Sequence, residues 1–214
     1  MTKINAFIIA LLLTLTACSS AYYSAMEKVG IHKRDILIDR VEEANDSQEE
    51  VKEEFASALA QFSSLITFDG GELETHYQQS KAHYESSEQA AKDVSDRIDA
   101  IENVAEALFD EWQDEIEQYS NASLKRQSQS KLRQTQRNYR KVIIAMQSAE
   151  KKMAPVLTAL KDNMLYLKHN LNAQAVGALK GEYQSIKRDI DVLIKEMNNS
   201  IDDSQAFINT LKAQ

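Results

Sequence analysis

The sequence predicts an all-α protein, an elongated antiparallel four-helix coiled-coil bundle that follows an N-terminal export signal. Three observations carry that reading. Five glycines and one proline in 214 residues, with 27% charged residues, is a composition of long helices. Apolar residues recur in alternating steps of four and three along most of the chain, the repeat of a heptad seam. Two charge blocks of opposite sign flank one predicted turn, as the two arms of a hairpin require.

Residues 1–17 have the three parts of an export signal. Lys3 is the short positive region, Ile4 to Leu15 is apolar apart from Asn5 and Thr14, and Thr16 and Ala17 are the small residues at a cut. The apolar run falls short of the roughly 20 residues that span a bilayer. Leu15-Thr16-Ala17-Cys18 has the form of a lipobox, which predicts cleavage before Cys18 and acylation of its thiol. Cys18 is the single cysteine of the chain. More than one acyl chain on that residue suffices for stable anchoring. Ser19, in place of an aspartate, favours the outer over the inner membrane. Residues 18–34 read as the lipidated cysteine and a tether broken at Gly30, with Tyr22, Tyr23, Met26, Val29 and Ile31 available to the lipid interface.

The helical domain is expected over 35–214. Its first helix (35–68) carries Leu37, Val41, Ala44, Gln48, Val51, Phe55, Ala58, Phe62 and Leu65. Asp69, Gly70 and Gly71 end it, the glycines supplying the positive φ a reversal needs. The second helix (72–119) runs from Leu73 through Tyr77, Ser80, Tyr84, Ser87, Ala91, Val94, Ile98, Ile101, Ala105 and Leu108 to Trp112. There the seam slips by four residues, to Ile116 and Tyr119, a stutter. Ser120 to Ser123 is a break rich in N-cap residues. The third helix (124–168) carries Leu132, Gln136, Tyr139, Ile143, Met146, Ala149, Met153, Leu157, Leu160, Met164, Leu167 and Leu171. Pro155 predicts a kink or break near 151–154. His169, Asn170 and Asn172 form the third turn. The fourth helix (173–212) carries Leu179, Tyr183, Ile186, Ile190, Leu193, Met197, Ile201, Ser204, Ile208 and Leu211.

Folding at each turn pairs like with like. Phe62 falls opposite Tyr77, and Leu157 opposite Ile186. Around Asn121, nine acidic residues and one basic residue between Asp96 and Glu117 face seven basic and no acidic residues between Lys125 and Lys141. The expected pairs are Glu117 with Arg126, Asp110 with Arg133, Glu106 with Arg137 and Glu102 with Lys141. The Asn121 turn, the start of the first helix and the C-terminus then share the lipid end. Asp69, Gly70, Gly71, His169, Asn170 and Asn172 lie at the far end and are the candidate partner-facing residues.

Other chemistries find little footing. The net charge of −8 becomes −9 once the signal, with Lys3, is lost, which opposes nucleic acid as a partner. The histidines His32, His76, His83 and His169 lack the spacing of a zinc pair. The acidic stretch Asp39 to Glu54 lacks calcium-loop spacing and reads as a partner for Lys151, Lys152, Lys187 and Arg188. No phosphate loop, nucleophile elbow or triad spacing is present, so no catalytic residue, metal or cofactor is expected, and an enzyme is not.

The segments 21–30 (AYYSAMEKVG), 32–37 (HKRDIL) and 167–173 (LKHNLNA) resemble a family of proteobacterial lipoproteins known only as a domain of unknown function. The likeness covers nearly all of the chain after the signal. It implies a helical exported protein and supplies no catalytic residue.

The function expected is that of a periplasmic structural or interaction lipoprotein, a coiled-coil adaptor or envelope scaffold. Its partners are the bilayer, through acylated Cys18, and a periplasmic protein. Polar seam members Gln48, Ser80, Ser87 and Gln136 leave room for a homo-oligomer. The alternative is a membrane-active helical protein, pore-forming or envelope-remodelling. Against it, the longest purely apolar run after the signal is Val142 to Met146.

Overall fold

The computed structural model describes residues 22, 23, 25–67 and 73–213. The signal segment, Cys18, and the turn residues Asp69, Gly70 and Gly71 lie outside them. Four long helices are present: α1 (Lys33–Ile66), α2 (Leu73–Gln118), α3 (Ala122–His169) and α4 (Ala173–Lys212). No strand occurs among the described residues. Each helix packs against its two neighbours in a ring, α1 on α2, α2 on α3, α3 on α4 and α4 on α1. The fold is an all-α bundle. At 46 and 48 residues, α2 and α3 are each about 70 Å long at 1.5 Å per residue.

Turn chemistry explains the helix ends. Asn121 caps α3 with its Oδ1, which accepts from the backbone N–H of Ser123 at 2.9 Å and of Leu124 at 3.2 Å. Asn172 caps α4 in the same way, accepting from Ala175 N–H at 3.0 Å. Each satisfies donors that the first helical turn leaves open. With Asn121 as the cap, α3 begins at Ala122, two residues before the expected Leu124.

The apolar stripes form the core. All nine seam positions of α1 are buried, with Leu37, Val41, Val51 and Phe55 fully so. The stutter in α2 is present: Ile116 is fully buried while Glu115 is exposed. Several seam positions are half-buried rather than buried, Tyr77, Trp112, Gln136 and Leu157 among them, and two are exposed. Tyr119 is 42% exposed and Leu171 is 41% exposed, because each lies past the last turn that neighbouring helices cover. In α4, Ser200 is fully buried while Ile201 is half-buried. The stripe there takes a step of three from Met197 and continues through Ser204 to Phe207 and Ile208.

Pro155 does not break α3, which runs unbroken from Ala122 to His169. Proline removes one donor and one ladder bond. Lys151, Ala154 and Pro155 are all exposed, so water can take the place of the lost donor. Thr158 Oγ1 donates to the Ala154 carbonyl at 2.9 Å within the same stretch.

The antiparallel registers are visible in polar contacts. Between α1 and α2, Gln61 Nε2 donates to Gln79 Oε1 at 2.9 Å and Arg97 pairs with Glu43 at 2.8 Å. That is the register which sets Phe62 opposite Tyr77. Between α2 and α3, Glu117 takes Lys125 at 2.8 Å rather than Arg126. Glu102 accepts from Gln147 at 2.8 Å rather than meeting Lys141, and the expected Asp110–Arg133 and Glu106–Arg137 pairs are not close ion pairs. Exposed pairs contribute only about 0.2–1 kcal/mol each, so core packing sets the register and the charges follow.

The acidic stretch of α1 finds other cations than expected. Glu43 holds Arg40 and Arg97, Glu42 holds Lys212 at 2.8 Å, and Glu49 holds Lys52. Lys187 instead pairs with Asp191 on its own helix. The ring order is the reason. Lys151 and Lys152 sit on α3, diagonal to α1, and Lys187 and Arg188 fall level with the other end of α1.

A polar belt interrupts the core. Gln48, Ser87, Ser200 and Ser204 are fully buried, and Asn45 is 8% exposed. The Ser204 hydroxyl donates to the Ser200 carbonyl at 2.7 Å. Neither Gln48 Nε2 nor Oε1, nor the Ser87 and Ser200 hydroxyls, has a hydrogen-bond partner among the described residues. A buried polar group without a partner costs about 1–3 kcal/mol. Replacing Gln48 by the near-isosteric methionine is therefore expected to stabilise the bundle by about 1–3 kcal/mol. The urea midpoint should rise at unchanged slope; a lower midpoint would show that Gln48 is satisfied in solution.

Candidate functional site

The two ends of the rod are its chemically distinct places. The proximal end gathers the chain's first described residues, the Asn121 turn and the C-terminal helix end. There an open groove of about 390 Å³ is lined by Lys33 from α1, Trp112 from α2, Lys131 from α3 and Leu211 from α4.

Residues 22–31 are not a free tether, which corrects the expectation for that stretch. Residues 22–28 are helical apart from the undescribed Ser24, and Gly30, at φ +86, closes them. Ile31 N–H bonds the Met26 carbonyl at 3.0 Å, and Gly30 N–H bonds the Glu27 carbonyl at 3.0 Å. This pair of bonds around a left-handed glycine is a Schellman motif, and it turns the chain back into α1. Tyr23 is only 7% exposed and Met26 packs on the core, so these two side chains are spent on the bundle. Tyr22, Val29 and Ile31 remain exposed.

Lys33 fastens the segment to α2. Its Nζ donates to Glu27 and, at 3.0 Å, to Glu111 Oε1. Burial opposes the Lys33 charge, but the two carboxylates outweigh it and raise its pKa. The bond from Lys33 holds Glu27 below the usual carboxylate range, while burial pushes Glu111 above it. Trp112, expected in the core, is half-buried and bridges the hairpin, its Nε1 donating to Ser128 Oγ at 2.9 Å. Further along, Tyr139 packs edge-on to Phe109 with ring centroids 5.4 Å apart. Burial, then Glu102 and Glu106, pushes its hydroxyl up to about 12.

At the far end the predicted turn residues divide. His169 closes α3 and is exposed. Asn170 Nδ2 donates to the Tyr166 carbonyl at 2.9 Å, and Asn172 is occupied as the α4 cap. Both asparagine side chains therefore work on the fold. What the seam reading missed are Leu165 and Tyr166, each 42% exposed at the same end as Leu171. Beside them, an open groove of about 490 Å³ runs between α3 and α4, with Ala159, Tyr166 and Leu179 among its walls. A signal was available: Leu165 and Tyr166 widen the stripe between Met164 and Leu167 beyond what a seam needs.

No group of three His, Cys, Asp or Glu residues set to hold a metal occurs among the described residues. His76 lies against Gln61, with Nδ1 and Nε2 3.4 Å apart, and His83 lines a small crevice with Ser80 and Tyr84. No described helix is long and apolar enough to cross a membrane.

The chain belongs to the family described as a protein of unknown function, DUF2959, which matches residues 22–211. No curated protein matches the chain.

Proposed function

We propose that this DUF2959 chain is a structural and interaction lipoprotein, held to the periplasmic face of the outer membrane by acylated Cys18. On this reading it presents its far end to a periplasmic partner. The Leu15–Cys18 motif supports the anchor. The observation that carries the interaction reading is the exposed Tyr166 on the wall of the α3–α4 groove, with Leu165 and Leu171 also exposed at this end. It stands about 50 Å, the length of α1, from the level at which residues 22–31 dock. Apolar side chains exposed at the end away from the lipid anchor offer a contact surface. A long bundle with grooves open to solvent suits an adaptor better than an enzyme, which needs an enclosed pocket with convergent polar groups.

Two measurements test this. Metabolic labelling with a fatty-acid analogue should mark the protein and fail on Cys18→Ser; labelling of that variant would remove the anchor. A photo-crosslinking residue at Tyr166 should give a discrete adduct in cells, and one at mid-rod Ile144, 58% exposed, should not. Equal adducts from both positions would sink the far-end reading.

A further inference from the structure

The α2–α3 hairpin overhangs the rest of the bundle at the proximal end. Glu111 is level with the start of α1, because it bonds Lys33. From Glu111, α2 continues to Gln118 and the chain turns at Asn121. At 1.5 Å per residue this tip projects about 10–15 Å past α1. Meanwhile residues 22–28 run back up the side of α1, since Gly30 reverses the chain. Tyr22 lies against Arg40, seven residues or about 10 Å above Lys33. Tyr22 is thus about 20–25 Å above the tip along the rod.

Cys18 is four residues before Tyr22, a reach of at most about 14 Å. An upright rod whose Cys18 sits at the bilayer surface therefore carries its tip about 6–11 Å past that surface, even with the linking residues fully extended towards it. The tip is built to tolerate that position. Residues 118–124 hold no charged side chain. Tyr119 is 42% exposed and Leu124 is 49% exposed. The first charges behind them, Glu117 and Lys125, neutralise each other at 2.8 Å. Tyrosine favours the headgroup level, where its ring is apolar and its hydroxyl wet.

We propose that the α2–α3 tip seats in the headgroup layer of the membrane that holds Cys18, giving the rod a second membrane contact and an upright stance. This rests on the lipid-anchor reading. The occupant is the bilayer; a protein there would instead shield the tip only in the partner's presence.

The test uses the full lipidated protein carrying Ser120→Cys, reconstituted in phosphatidylethanolamine–phosphatidylglycerol vesicles. Cys18 is the chain's own single cysteine, so once it is acylated a thiol-reactive environment-sensitive dye marks position 120 alone. The dye is expected to shift to the blue and to lose emission to lipids carrying a quencher near the headgroup. The same dye at Gln174→Cys, on the far end, should do neither. Adding Tyr119→Glu and Leu124→Glu should return the position-120 dye to water while the protein stays on the vesicles. A vesicle-bound protein whose position-120 dye remains in water overturns the tip contact and leaves the anchor standing. A protein that labels at two sites and does not float with vesicles overturns the anchor, and the tip contact with it.

Discussion

Phe55→Ala is expected to remove about 3–5 kcal/mol of stability. Phe55 is fully buried, between Val51 and Ala58 in the stripe of α1, and is among the largest side chains with no solvent contact. Truncation forfeits its transfer energy and leaves a cavity that long, interlocked helices close only in part. Whole domains are stable by about 5–15 kcal/mol, so this one change consumes much of the margin. Urea unfolding followed by helical circular dichroism measures it. A loss below about 0.5 kcal/mol, the scale of a surface change, would show that the ring of helices is not closed at this level.

Pro155→Ala is expected to act in the opposite direction, by about 2 kcal/mol. Proline is about 3 kcal/mol less favourable than alanine inside a helix. Some of that is returned because proline also restricts the unfolded chain, by about 0.4–1 kcal/mol. Position 155 is exposed and α3 is continuous there, so the substitution meets no crowding and restores a donor for the Lys151 carbonyl. Thermal unfolding would show a higher midpoint. An unchanged or lower midpoint would mean that α3 is locally open at Lys151 in solution.

These two positions also show what was legible in the sequence. The heptad spacing placed Phe55 in the core because burial follows period, and period survives in a one-dimensional string. The stretch around Asn121 was legible as a break rich in N-cap residues, because capping is local chemistry. The helix there begins two residues earlier than expected, and the cap at Asn172 is legible only as part of a turn. The break expected at Pro155 is absent, because proline's cost is local while the packing that overrides it comes from other helices. The same limit hid the docking of residues 22–31, where Tyr23 and Met26 are too few to show a period. Ser200 displaced Ile201 from the core by a step of three after Met197, which regular spacing does not reveal. Tyr119 and Leu171 kept their places in the pattern and lost their cover, since where neighbouring helices end is not written in either helix. Of the candidate site residues, Asn170 and Asn172 were found at the far end but serve as caps. The exposed Leu165 and Tyr166 stood in plain view, overlooked because seam counting asks only which residues face inward.

The ring order of the helices has a consequence for how the chain assembles. Three of its four interfaces join helices consecutive in sequence, across α1–α2, α2–α3 and α3–α4. Each can zip up from its own short turn at small loop-closure cost. The fourth, α1 against α4, joins the two ends of the domain and gains nothing until the others exist. Lys212 on Glu42 and the ring of Tyr183 beside Phe62, with centroids 6.0 Å apart, thus mark the clasp that shuts last. Amide exchange in the native protein should find that clasp the first seam to open.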